Sequence, residues 1–194
     1  MKYIVVIILF FFSLSAAKAE IYKSLAKALK NPLKVDSLDL SFQRLEKFPQ
    51  EIFLCKNLRY LNLEFNQLIS LPAEIGNLVK LTSLNLSSNQ LTSLPAEIGN
   101  LVNLTSLELE YNQLTNIPSQ IGNLINLKEL WLGFNQLITL LFEITTLKNC
   151  RIYFNPTDKL WIAPSILYAL KKNNCEVGGY RNPLESWCAQ YVWN

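Results

Sequence analysis

The chain contains no histidine, so the usual general base, the usual partner of a serine or cysteine nucleophile and the commonest zinc ligand are all missing. Carboxylates remain for acid–base work. A pair of them can hydrolyse a glycoside, but only where an enclosed site raises the pKa of one above the other. The four cysteines, Cys55, Cys150, Cys175 and Cys188, include no Cys-x-x-Cys pair, which disfavours zinc. No glycine loop suited to phosphate appears, so neither metal nor cofactor is expected. Charge weighs against nucleic acid as well. The chain carries 18 Lys+Arg against 15 Asp+Glu, too near balance to draw a phosphate backbone.

The elements that would hold these residues begin with a leader. Met1-Lys2 precedes an apolar run from Tyr3 to Leu14, and small residues end in Ala17-Lys18-Ala19. This is the pattern of a secretory signal peptide cleaved after Ala19. The run is about a dozen residues, short of the ~20 that span a bilayer as a helix, so no stable membrane span is expected. The mature chain, without Lys2 and Lys18, has 16 Lys+Arg against 15 Asp+Glu and is expected to be exported: secreted, periplasmic or cell-surface associated.

Self-similarity dominates the rest. Ser70 to Leu86 and Ser93 to Leu109 differ at two of seventeen positions, and the period is 23 residues. Val35, Leu58, Leu81, Leu104 and Leu127 each open the pattern L-x-x-L-x-L-x-x-N-x-L. Its fourth and sixth residues alternate as in a strand with one buried face. One such strand cannot bury its leucines alone, so coils must stack and their strands form a parallel sheet. A sixth unit is read at Leu147, Cys150, Ile152 and Asn155, after a predecessor that has lost three residues and carries Leu141 where Pro49, Pro72, Pro95 and Pro118 stand. The ladder Asn66, Asn89, Asn112, Asn135 and Asn155 sits where the chain turns inward, and is expected to satisfy backbone groups there.

These motifs resemble those of bacterial extracellular leucine-rich-repeat proteins of the 23-residue, LPxEIxxL-containing subtype. The resemblance covers Val35 to Asn155. It implies an α/β solenoid: a leucine-rich-repeat horseshoe with a parallel concave sheet, helical N- and C-terminal caps, a concave face that binds proteins or glycans, and no catalytic residues. The expected organisation is a signal peptide at 1–19, an N-terminal helical cap at 20–34, six repeats at 35–156, and a C-terminal cap with an aromatic tail at 157–194. Within the caps, Glu20 to Asn31 reads as an amphipathic helix and Pro164 to Lys172 as a second, with Cys175-Glu176-Val177 as an extra strand. Tyr180, Trp187, Tyr191 and Trp193 either fold back on the solenoid end or form an exposed binding segment.

Export permits disulfides, and geometry limits them. Cys55 takes the place of Leu78, Leu101 and Leu124, and Cys150 is read in the place of Leu130. Several rungs of ~4.8 Å put these two beyond the ~7 Å limit for a bridge. Cys175 and Cys188 are left as the pair to consider, with Cys175 simply facing inward as the alternative.

Between the leucines, side chains face outward. The fifth positions are read as Asp39, Asn62, Asn85, Glu108, Trp131 and Arg151, and the seventh as Ser41, Glu64, Ser87, Glu110, Gly133 and Tyr153. The eighth are Phe42, Phe65, Ser88, Tyr111, Phe134 and Phe154. These rings either seal the sheet margin by stacking or form a recognition stripe. Candidate ligand-binding residues are Glu64, Phe65, Glu108, Glu110, Tyr111, Trp131, Phe134, Arg151 and Tyr153. Glu64, Glu108, Glu110 and Glu129 gather over the middle rungs, and an open sheet offers no pocket to make them a glycosidase. A protein ligand, basic where it meets those rungs, is the expected partner, bound by a monomer; a self-assembling envelope protein is the alternative.

Overall fold

The structure is a computed structural model that describes residues 21–155 and 160–178. The leader expected over 1–19, the aromatic tail and Cys188 lie outside those residues.

Among the described residues, eight short parallel strands form one open sheet in chain order. They are β1 (Ile21–Tyr22), β2 (Ser37–Asp39), β3 (Tyr60–Asn62), β4 (Ser83–Asn85), β5 (Ser106–Glu108), β6 (Glu129–Trp131), β7 (Arg151–Tyr153) and β8 (Glu176–Gly178). Leu38, Leu61, Leu84, Leu107 and Leu130 pair in succession at the strand centres, and all are fully buried. Their neighbours on each strand point the other way, as the two-residue period requires. A second inward leucine follows each strand because the ladder runs on. The N–H groups of Leu40, Leu63, Leu86 and Leu109 donate to the carbonyls of Asn62, Asn85, Glu108 and Trp131 at 2.8–2.9 Å.

The chain returns along the opposite side through 3-10 turns at Gln50–Leu54, Ala73–Asn77, Ala96–Asn100, Ser119–Asn123 and Phe142–Thr146. Proline presets the extended entry to the first four, yet Leu141 enters the fifth at φ −78, ψ 153, close to the −73, 152 of Pro72. Leucine therefore follows the same route. Stacking of these turns is set by backbone contact: a Cβ on Gly99 would lie 2.5 Å from the Gln120 carbonyl oxygen. In the first turn Phe53 stands where the next three turns have Gly76, Gly99 and Gly122, and its ring stacks on Phe48 at 5.2 Å.

The last repeat corrects the expected register. The turn Phe142–Thr146 begins 23 residues after Ser119–Asn123, so the preceding unit has lost nothing, and Leu147 and Cys150 follow Leu124 and Leu127 at that same spacing. The deletion is one residue, between Cys150 and Ile152: Leu130 pairs with Ile152, and Trp131 with Tyr153. Its place is where it disturbs least. In the preceding coil the N–H groups of Lys128 and Glu129 both donate to the Thr105 carbonyl, whereas Arg151 alone donates to that of Lys128. Losing one of two donors that share an acceptor leaves the ladder intact. Cys150 consequently replaces Leu127 and not Leu130, and Phe154 turns inward, only 8% exposed.

The ends differ from expectation on one side. The helix read over Glu20 to Asn31 is instead β1, which pairs with β2, followed by a single helical turn α1 (Leu25–Ala28) that buries Ala28. An edge strand with unpaired backbone groups gains more from a strand partner than from a helix laid over it. At the other end α2 (Pro164–Lys172) starts on proline, buries Ile166 and Leu170, and ends in Lys171 and Lys172, which suit the negative end of the helix dipole. After α2, β8 pairs with β7.

Candidate binding face

The outward side of the sheet is built from the residues that flank each central leucine, and its two halves are made differently. Over β2–β4 the fifth residue of the repeat is Asp39, Asn62 or Asn85. Each accepts the N–H two residues on, from Ser41, Glu64 and Ser87, at 3.0, 2.9 and 2.9 Å. These short side chains are thereby committed to the backbone turn. Over β5–β7 the fifth residue becomes Glu108, Trp131 and Tyr153. Trp131 and Tyr153 stack face to face with ring centroids 3.8 Å apart, both half-buried on the sheet.

Beside that stack lies a cluster of carboxylates. Burial pushes the Glu108 carboxyl above its ordinary pKa, and the nearby charges of Glu64, Glu110 and Glu129 add to the effect. Glu64 is raised for the same two reasons, burial first and then Asp39. Glu110 is 8% exposed, and its Oε1 is 3.4 Å from where a Cβ on Gly133 would stand. Like charges so placed favour an incoming cation.

Arg151 is not at the fifth position. It lies across from Glu129 and Glu176, and its guanidinium forms ion pairs with them at 3.8 and 3.3 Å. Tyr153, read at the seventh position, holds the fifth.

At the far edge of the sheet the eighth residues Phe42, Phe65, Ser88, Tyr111 and Phe134 all adopt left-handed backbone, φ 52 to 58. That conformation costs a non-glycine residue on the order of 1 kcal/mol. The rings form two stacked pairs, Phe42 with Phe65 at 4.5 Å and Tyr111 with Phe134 at 4.2 Å, with Ser88 between the pairs. All four remain exposed, from 39% at Phe134 to 69% at Phe42. Stacking and exposure coexist, so sealing the margin does not use up these surfaces.

Beneath the face, the asparagines tie coil to coil. Asn89 donates to the carbonyls of Leu63 and Leu86 at 2.9 and 3.0 Å and accepts the Leu68 N–H at 3.0 Å. Asn112 does the same for Leu86, Leu109 and Leu91. Asn66 and Asn135 make the matching bonds in their own coils. Asn155 is not on this ladder: two residues past Tyr153, it stands level with Gly133 rather than Asn135.

Sequence reasoning missed the opposite rim. A shallow groove there runs past Arg59, Lys80 and Lys128, with Thr82, Thr105, Asn103 and Asn126 along it. Asn103 and Asn126 donate to the Val79 and Val102 carbonyls of the coil before, each at 2.8 Å, forming a second asparagine ladder. The repeat already places these residues 23 apart, which is the signal that was available.

Comparison with known proteins agrees with this architecture. A family model described as a leucine-rich repeat region matches residues 33–172. A leucine-rich-repeat protein of Leptospira interrogans is similar at 31% identity and TM-score 0.56, over 81% of this chain and 54% of that one. The leucine-rich-repeat ectodomain of a membrane receptor kinase from Arabidopsis thaliana, solved in complex with a Casparian strip integrity factor, is similar at 32% identity and TM-score 0.63, over 74% of this chain and 18% of that one. An internalin of Listeria monocytogenes shares the fold at 21% identity and TM-score 0.63, over 77% of this chain and 42% of that one. The chain thus spans about half the Leptospira protein and less of the other two. No curated protein matches it. Among the described residues no helix is long and apolar enough to cross a membrane. With the family model covering every repeat from the first coil to α2, the chain belongs to the leucine-rich-repeat family, a horseshoe fold that commonly serves as a protein–protein interaction module and is typically a non-enzymatic scaffold.

Proposed function

We propose that the chain is an exported binding module that holds a basic protein ligand against the β5–β7 half of its concave face. The observation that carries this reading is the stacked Trp131–Tyr153 pair beside the Glu108 carboxylate, which pairs across to Trp131 and has Glu110 and Glu129 among the charges near it. Aromatic anchors dominate protein interfaces, and the Glu108 carboxyl, raised by burial and by the like charges around it, is relieved by an arriving lysine or arginine. The plant receptor ectodomain, whose similar repeats were solved with a bound factor, supports a ligand-holding role. The leader Met1–Ala19 supports export, and a host surface or matrix protein is a fitting partner.

The test is capture. The immobilised chain should retain a basic extracellular protein, and Trp131→Ala combined with Tyr153→Ala should release it. No capture, or capture indifferent to that double substitution, would overturn the reading. Sedimentation at several concentrations separates ligand binding from self-assembly, since the proposed module stays monomeric without its ligand.

A further inference from the structure

The register of the last two strands places two thiols side by side. Arg151 pairs with Glu176, and the Glu176 N–H donates to the Cys150 carbonyl at 2.9 Å, so Cys150 and Cys175 are level on neighbouring strands. Adjacent strands lie ~4.8 Å apart, within the ~4.4–6.8 Å Cα separation of disulfides. Both side chains face the core, Cys150 fully buried and Cys175 8% exposed. They also end a column. Val35, Leu58, Leu81, Leu104 and Leu127 fill the corresponding inward place in successive coils, each at most 1% exposed, and Cys150 and then Cys175 continue it. Leucine would fill both places better. What cysteine adds at two consecutive rungs is the capacity to bond. Cys55 lies in another column at the far end, and has no such neighbour among the described residues.

We infer that Cys150 and Cys175 are a cross-link site, whose disulfide fastens the capping unit of α2 and β8 to the last repeat. The oxidant is a low-molecular-weight disulfide. One cysteine thiolate attacks a sulfur of that reagent, giving a mixed disulfide and one reagent thiol. The second cysteine then displaces the other reagent thiol. The two protein sulfurs lose two electrons together, the reagent's sulfurs gain them, and the two thiol protons end on the two reagent thiols. Burial holds both thiols above their ordinary pKa, Cys150 at about 12, so few are ionised once the cap has closed. The bond therefore forms while the cap is docking. This inference does not depend on the proposed ligand.

The test is a peptide map. The full chain is refolded in a glutathione redox buffer, its remaining thiols are alkylated, and it is cut with trypsin without reduction. Cys150 falls in the peptide Asn149 to Arg151, Cys175 in Asn173 to Arg181, and Cys188 in Asn182 to Asn194. The expected product is the first two joined, in the wild type and equally in Cys188→Ser. Reduction should lower the melting temperature by roughly 5–10 °C. In Cys150→Ser, reduction should leave the melting temperature unchanged; if that variant fails to fold, the wild-type map still decides. A Cys188-containing linked peptide in place of the expected one, three alkylated peptides, or a wild-type melting temperature indifferent to reduction would each overturn the inference.

Discussion

The concave face joins two halves that share a scaffold and differ in how the fifth residue of each repeat is used. Over β2–β4 that residue is a short Asx side chain that accepts a backbone N–H two residues on; over β5–β7 it is Glu108, Trp131 and Tyr153. A side chain committed to its own turn has little left for a partner. One that rises from the sheet to stack on its neighbour, or sits partly desolvated among like charges, meets a partner with energy still to gain. On the proposed reading, the same coil geometry commits the fifth residue to its own turn in one half and leaves it to meet a ligand in the other. The choice is made by one residue per rung.

If the halves differ only at the surface, the scaffold beneath must not distinguish them. Asn89→Ala in the first half and Asn112→Ala in the second each strand buried backbone carbonyls and an N–H. Each should cost about 3 kcal/mol by urea denaturation, and a large inequality would mean the halves differ in packing as well. Binding should separate them next. Trp131→Ala with Tyr153→Ala should weaken ligand capture ~30-fold or more, while Asn62→Ala with Asn85→Ala should change it less than ~3-fold.

Stability should give the opposite order. Asn62→Ala and Asn85→Ala each remove the acceptor of a turn N–H and should cost about 1 kcal/mol, measured as a lower urea midpoint. Glu108→Gln relieves repulsion from Glu64 and Glu110 and should leave the midpoint unchanged or raised.

The smallest effect is a pH slope. Because Glu64 and Glu108 are raised in the folded chain, the fold binds protons that the unfolded chain does not, just above the ordinary carboxylate value of 4.5. Their contribution to stability therefore improves as pH falls from neutral toward that value, and worsens as it rises. Thermal melts of wild type and Glu108→Gln across that window should show a shallower dependence in the variant. Identical slopes would remove Glu108 from the cluster.

Much of the molecule was legible in its residues alone. A 23-residue period with leucines alternating at its fourth and sixth places can be buried only by stacking coils with a parallel sheet, and an asparagine once per coil identifies the bend that needs an amide. The carboxylate cluster and Trp131 were equally readable, because a regular solenoid assigns each position a direction. Tertiary structure decided what periodicity cannot carry. The last repeat drops one residue between Cys150 and Ile152, whereas counting motif letters takes three residues from the unit before it. Only the hydrogen bonds to the Lys128 and Cys150 carbonyls fix which side chains then face inward, moving Arg151 off the fifth position, Asn155 off the ladder, and Phe154 into the core. The left-handed aromatics gave no signal, since glycine or asparagine usually announces that conformation, and here the turn around the ladder imposes it on phenylalanine and tyrosine. A strand's period of two makes each slip of one residue exchange inside for outside, so the register that sequence fixes firmly where repeats are uniform had to be settled by backbone pairing where they are not.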